Sequence, residues 1–257
     1  LEYVDSNVRT AGEIKRHFKM PILGNIRRKR KASRKLTEYL TTNAIDQSPI
    51  VEDYRRVQTN LLFATNDQSN EPHLYLISSP EKDEGRTFNI SNLAAVMAIS
   101  GQRVLLVDDN LRSPKIHTLF EMSNESGLTT ILSLKGEDVN SDFSVIIHQS
   151  LQETAIPNLH VITSGIDGVP VSPQMLGFEK FGAFIDCVYN TFNYDVILVD
   201  TPPIKDASDS YSMAAAAAAD VILVASYART NIADMQLMIE QFEHLNTKVM
   251  GVLLNRM

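Results

Sequence analysis

Tryptophan is absent from the 257 residues, and there is a single cysteine, Cys187. One thiol excludes an intrachain disulfide and fits a reducing compartment. Cys187 falls in a helical pattern with Phe184 and Val188 and reads as a small buried hydrophobe. No apolar run approaches the roughly 18 residues that span a bilayer, and no signal peptide is present. The first residue is Leu1 rather than Met, so the expectation is a fragment with a membrane span upstream. The six histidines, His117 and His148 among them, lack metal-ligand spacing. A nucleophile elbow for Ser-His-Asp chemistry is missing as well. Bulk positive charge is also wanting: the formal net charge is -7, which argues against a nucleic-acid binder.

What is present is an alternation of strands and helices. Apolar strand cores are predicted at 74–77, 104–107, 159–163, 196–199, 221–224 and 249–254. Helical patterns lie between them, at 88–100, 127–134, 173–192, 207–219 and 232–245. Near-continuous apolar strands separated by helices predict an α/β fold: a parallel sheet covered by helices on both faces. Ligands in such folds bind at the carboxyl ends of the strands. Ser48-Pro49 opens this domain as N-cap and first helical residue, with Val51, Tyr54, Val57, Leu61 and Leu62 forming an apolar helix face. The six alanines Ala214 to Ala219 need no special function, because alanine is the best helix former. The expected division is residues 1–47 as an appendage and 48–257 as the folded domain.

The appendage holds a short helical pattern, Glu13 to Phe18, and a short extended segment, Met20 to Gly24. A basic run follows: Arg27, Arg28, Lys29, Arg30, Lys31, Arg34 and Lys35, 7 of the 24 Lys and Arg residues. No aromatics are interleaved, so nucleic acid is not its expected partner. Against a solvated linker stands attraction to an anionic membrane surface, worth on the order of 1 kcal/mol per basic residue.

Three motifs carry chemistry. The stretch Ser78-Ser79-Pro80-Glu81-Lys82-Asp83-Glu84-Gly85-Arg86-Thr87 lies between the strand Leu74–Ile77 and a helical pattern. Strand, loop, helix is the context of a phosphate-binding P-loop. Gly85 and Thr87 fit; Arg86 stands where a lysine is expected, and Asp83 where a glycine would ease backbone approach. The second motif, Val104 to Pro114, delivers Asp108 to a strand's carboxyl end, followed by Asn110 and Arg112. An aspartate there can hold Mg²⁺ or accept a proton from an attacking hydroxyl. The third, Val196-Ile197-Leu198-Val199-Asp200-Thr201-Pro202-Pro203, is a Walker B type element with Asp200 as a Mg²⁺ partner.

These three motifs, with Ser48 to Arg55 upstream and Gly251-Val252-Leu253-Leu254-Asn255 near the end, resemble the bacterial tyrosine autokinases that work with polysaccharide co-polymerases. Residues 4–24 also resemble the cytoplasmic tail that follows the last membrane span of a co-polymerase. The resemblance implies a P-loop sheet and a chain fused to a co-polymerase at the cytoplasmic face of the inner membrane. It implies autophosphorylation in trans inside a ring, and control of polymer length in capsule or exopolysaccharide export. Carried over residue by residue, Gly85, Arg86, Thr87 and Asn255 fall on the nucleotide site, with ATP or ADP and Mg²⁺ as cofactors. Thr87, Asp108 and Asp200 fall on the metal site, and Asp108, Asp200 and Arg86 on the catalytic one. Glu52, Arg55 and Gln58 fall on an oligomerisation motif that normally reads Glu, Arg, Arg.

Several positions depart from that pattern. Arg86 replaces the lysine, Asp83 a glycine, Lys82 a proline, Asn110 an aspartate and Gln58 an arginine, and no tyrosine cluster follows Tyr227. Arginine is forked where lysine is a point charge, and phosphoryl transfer depends on electrostatic positioning. The leading expectation is therefore a catalytically impaired kinase-like regulator. The alternatives are an active tyrosine autokinase and a partitioning-type ATPase.

Overall fold

The computed structural model describes residues 7–27, 48–65, 72–133, 143–165, 178–205 and 209–255. Eight strands form one sheet: β1 (Ile22–Ile26), β2 (His73–Ser78), β3 (Val104–Asp108), β4 (Leu151–Glu153), β5 (Leu159–Ile162), β6 (Val196–Asp200), β7 (Asp220–Ser226) and β8 (Val249–Asn255), in the order β1-β8-β7-β2-β6-β3-β5-β4. Every pairing is parallel except β4 with β5. Around it lie α1 (Ala11–Phe18), α2 (Pro49–Thr65), α3 (Arg86–Ile99), α4 (Ile116–Phe120), α5 (Leu128–Leu132), α6 (Phe143–Ser150), α7 (Phe178–Thr191), α8 (Asp209–Ala216) and α9 (Ile232–His244).

Strand alternation explains the layers. Along β2, Leu74 and Leu76 face one core while Tyr75 and Ile77 face the other; along β3, Leu105 and Val107 oppose Val104 and Leu106. The first core is closed by α1 and α5 to α9, and the second by α2, α3 and α4. Both faces are thus apolar and covered, as a parallel sheet demands. The α/β expectation, with helices on both faces, holds.

The α3 helix is the central element of the second core. Only its last residue, Ile99, is well exposed, because the helix is pressed between the sheet and α2. The two asparagines on this buried helix find partners: Asn89 donates to Gly85 O at 2.8 Å and accepts from the Tyr54 hydroxyl at 2.8 Å, and Asn92 donates to Phe88 O at 2.6 Å. Four segments were not predicted as elements: β4, α4, α6 and the pairing of β1. The first three are short (3, 5 and 8 residues), too short for periodicity to speak. The predicted Pro173 to Phe192 helix is observed from Phe178; residues 171–177 lie outside the described ones. Cys187 is partly buried and packs against the first core.

Residues assigned by sequence to the appendage reach into this fold. Helix α1 is capped by Thr10 and Glu13 in a capping box, and the extended segment becomes β1, hydrogen-bonded in parallel to β8. Two glycines permit that edge. Gly251 has φ +146 with Pro21 O 2.5 Å from where a Cβ would stand, and a Cβ on Gly24 would overlap Val57 Cγ2 of α2. Arg27 then closes the segment, donating from Nε and Nη2 to the Asp53 carboxylate at 2.7 and 2.8 Å. The remainder of the basic run, Arg28 to Lys35, lies outside the described residues.

Gly24→Ala is expected to destabilise the chain by about 1–3 kcal/mol, the usual cost of overpacking. Because the obstruction is one methyl group, Gly24→Ala with Val57→Ala should cost less than the sum of the two single changes. Urea unfolding of the four chains measures both; strict additivity would mean that β1 does not rest on α2 at this point.

Candidate nucleotide site

The strands β2, β3, β6, β7 and β8 end side by side, and their carboxyl ends carry Ser78, Asp108, Asp200, Ser226 and Asn255. The register pairs Ile77 with Asp200 and Asp200 with Asp108. Two fully buried carboxylates therefore lie on neighbouring strands. Burial pushes both aspartates above the ordinary carboxylate range, and Asp200 raises Asp108 further.

Each carboxylate is held differently. Asp108 Oδ2 accepts from the backbone N–H groups of Lys115 and Ile116 at 3.1 and 3.0 Å, and Oδ1 from Asn110 N at 3.2 Å. It thereby folds the turn that starts α4. Asp200 Oδ2 accepts from the Thr87 hydroxyl at 2.5 Å, whereas Asp200 Oδ1 is buried without a hydrogen bond among the described residues. A buried orphan oxygen beside a second carboxylate suits a cation. Thr87, Asp200 and Asp108 thus fit Mg²⁺, which usually takes one or two protein oxygens and otherwise water and phosphate. Among the described residues no three or more His, Cys, Asp or Glu side chains gather as a self-sufficient metal cage. When bound, the ion would neutralise phosphate charge.

The phosphate loop runs from Ser79 to Gly85 and feeds α3. Gly85 caps the helix at φ +95, and a Cβ there would overlap the Asn255 amide. Asn255 Nδ2 donates to Glu84 O at 2.7 Å. Asn255 therefore holds the back of the loop. Asp83 adopts φ +57, so the position assigned to a glycine does require the left-handed region, which aspartate tolerates better than most residues. The β6–α8 loop supports the phosphate loop from below, with Ile204 N donating to Ser79 O at 3.1 Å and Lys205 N to Pro80 O at 3.3 Å.

Arg86 is 6% exposed and turned into the protein. Its Nε donates to Thr201 O at 3.0 Å, and Nη1 to Ser79 Oγ at 2.5 Å and Glu81 O at 3.0 Å. The cation at the lysine position is engaged by two acceptors of the loop itself and one that follows β6. A cleft of about 270 Å³ opens beside the loop, lined by Lys82, Asp83, Arg86, Asn110, Arg112, Ser113, Lys115 and Pro202-Pro203. Four cationic residues against one carboxylate make it suited to an anion.

Sequence reasoning quoted Glu84 without giving it a role. Its buried carboxylate accepts from Thr230 Oγ1 and from Glu81 N at 3.0 Å, and burial raises its pKa. It stitches the loop to the β7–α9 turn. Lys115, Arg229 and Lys205 were also missed; Lys205 bridges Glu81 and Asp234 at 2.6 and 2.7 Å. No local sequence signal marks such partners, which meet only through the sheet order. The oligomerisation residues divide. Glu52 and Arg55 sit on the solvent side of α2, 4.0 Å apart, but Gln58 is buried and donates to Gln102 Oε1 at 2.8 Å.

A family model described as an AAA domain matches residues 83–251. Tyrosine-protein kinase YwqD of Bacillus subtilis is 30% identical, over 79% of this chain and 80% of its own length. The chain belongs to the bacterial tyrosine-protein kinase family. The kinase domain of Escherichia coli tyrosine kinase ETK superposes with TM-score 0.80 at 25% identity, over 97% of this chain and 95% of that one. Tyrosine-protein kinase Wzc of Salmonella typhimurium is 32% identical over 80% of this chain. The chain spans 28% of the length of EpsB of Ralstonia solanacearum and 26% of Wzc. The septum-site protein MinD of Pyrococcus horikoshii (TM-score 0.55, 17% identity) shares the fold.

The raised carboxylates set a pH dependence. The folded chain binds these protons more tightly than the unfolded one, so the pair costs nothing below the unfolded carboxylate pKa of about 4, costs more as pH climbs from there through the folded values, and adds no further cost above them. A bound Mg²⁺ offsets that charge. The Mg²⁺-induced rise in melting temperature should therefore be larger near about pH 8 than near about pH 5. Asp200→Asn should remove most of that difference and flatten the pH slope of the metal-free chain. An unaltered slope in Asp200→Asn would contradict the paired-carboxylate account.

Proposed function

We propose that this chain is a nucleotide-binding but catalytically impaired kinase domain, acting as a cytoplasmic regulatory module of exopolysaccharide or capsule export. Arg86 carries the reading. The one cation at the lysine position makes three hydrogen bonds inside the protein and is nearly buried. To reach a β- or γ-phosphate, the guanidinium would have to break all three bonds, leaving Glu81 O with the Ser79 hydroxyl at 2.8 Å and giving up its own bonds to Ser79 Oγ and Thr201 O. Gly85, Thr87 and the Asp108–Asp200 pair meanwhile keep the geometry of a Mg²⁺-nucleotide cradle. Binding is thus retained where transition-state stabilisation is lost.

The regulatory role rests on the tail. Residues that resemble the cytoplasmic end of a co-polymerase supply α1 and β1, and β1 pairs with the strand that ends at Asn255 behind the loop. A co-polymerase on the same chain, the export machinery and the inner-membrane surface through Arg28 to Lys35 are the proposed partners. Self-association through Glu52 and Arg55 would be weaker than in a ring that has an arginine at position 58.

A second reading, an active autokinase, is favoured by Thr87, Asp200 and Asp108 in contact register. Lysine at position 86 separates the two. ATP turnover and tyrosine phosphate, followed by radiolabel and mass spectrometry, should be at the level of Asp108→Ala in the native chain. Arg86→Lys should raise turnover on the order of 10²-fold, the scale of one electrostatic group. Native turnover that Asp108→Ala abolishes would overturn the impaired reading in favour of the second.

A further inference from the structure

Asp83 is the anionic residue on the cationic cleft, and it is not idle. Its carboxylate reaches Lys115 Nζ at 3.7 Å from the β3–α4 side and Arg229 Nη2 at 3.9 Å from the β7–α9 side. Arg229 Nη1 also lies 3.5 Å from the Asp83 carbonyl. The residue stands on the phosphate loop at a left-handed position, two residues before the helix-capping glycine. An anion thus lines the cleft together with Lys82, Arg86 and Arg112, paired with cations from two separate turns.

That geometry has a consequence for which polyphosphate fits. Asp83 already neutralises two of the cations beside the phosphate loop, which a polyphosphate held there would otherwise draw on. A diphosphate carries less negative charge into that field than a triphosphate does. A triphosphate brings further negative charge against a carboxylate and has to compete for Lys115 and Arg229. We propose that Asp83 is a selectivity residue that makes this site prefer nucleoside diphosphate to triphosphate. The inference rests on the nucleotide-binding reading above and adds to it which nucleotide the domain holds. A domain that retains ADP reports nucleotide occupancy without turning it over, which suits a regulatory module.

The substitution that isolates the charge is Asp83→Asn. Asparagine accepts the left-handed backbone as readily as aspartate and keeps the side-chain shape, so the loop is not asked to refold. The whole chain would be titrated calorimetrically with ADP and with ATP, each with Mg²⁺, at low and at high salt. The native chain is expected to bind ADP about tenfold more tightly than ATP, the scale of one charge–charge contact near a protein surface. Asp83→Asn is expected to gain about that factor for ATP with little change for ADP. The native preference should also shrink as salt rises, because the charges are partly exposed. An equal ADP-to-ATP ratio in the native chain and Asp83→Asn, with binding intact, would overturn the role of Asp83 alone. No binding of either nucleotide by either chain would overturn the nucleotide-binding reading and this inference with it.

Discussion

Two carboxylates on adjacent parallel strands, each sealed from water, are the constraint around which this molecule is arranged. Asp108 and Asp200 are brought together by strand register alone, and an apolar sheet gives them no solvent to share. Three backbone N–H groups hold one, a threonine hydroxyl holds the other, and one oxygen is left over. All but one of these donors, Asn110 N, come from the starts of α3 and α4, so both helix starts are tied to the acids. A cation completes such an arrangement more naturally than a proton.

Arg86 enters the same field from the phosphate loop, and its charge draws Asp200 back toward the ionised form. The fork of the guanidinium lets it satisfy Ser79, Glu81 and Thr201 together, which a lysine ammonium, a compact point charge, would do less rigidly. The loop gains rigidity where the reaction would need a mobile positive charge. Glu84 acts in the same sense from the other side, tying the loop to Thr230, and Asn255 holds its back. Internal donors and acceptors thus engage a loop whose ordinary work is to engage phosphate.

Much of this was legible in the sequence. The strand cores ending in Asp108 and Asp200, and the strand-loop-helix around Gly85, gave the α/β fold and the place of the site, because burial on both faces writes itself as continuous apolar runs. The sequence marks the glycine-like position of Asp83 as one of close backbone approach; that it is left-handed comes only from the structure. The part played by β1 was not legible: Ile22–Ile26 is short, contains a glycine, and gains its partner only because β8 would otherwise be the edge of the sheet. The contacts of Glu84 with Thr230 and of Asp83 with Arg229 join residues 146 apart, a separation at which no local pattern speaks. The inward turn of Gln58 was equally hidden, since a helix position names a face and not the neighbour beneath it.

The account turns on where the Arg86 side chain goes when phosphate arrives. The most direct measurement is a high-resolution crystal structure of the chain with Mg²⁺ and a non-hydrolysable ATP analogue. The account predicts a guanidinium still bonded to Ser79 Oγ, Glu81 O and Thr201 O, with Mg²⁺ beside Thr87 and Asp200. Arg86 swung out to bridge the β- and γ-phosphates would contradict it and make this an arginine-dependent kinase.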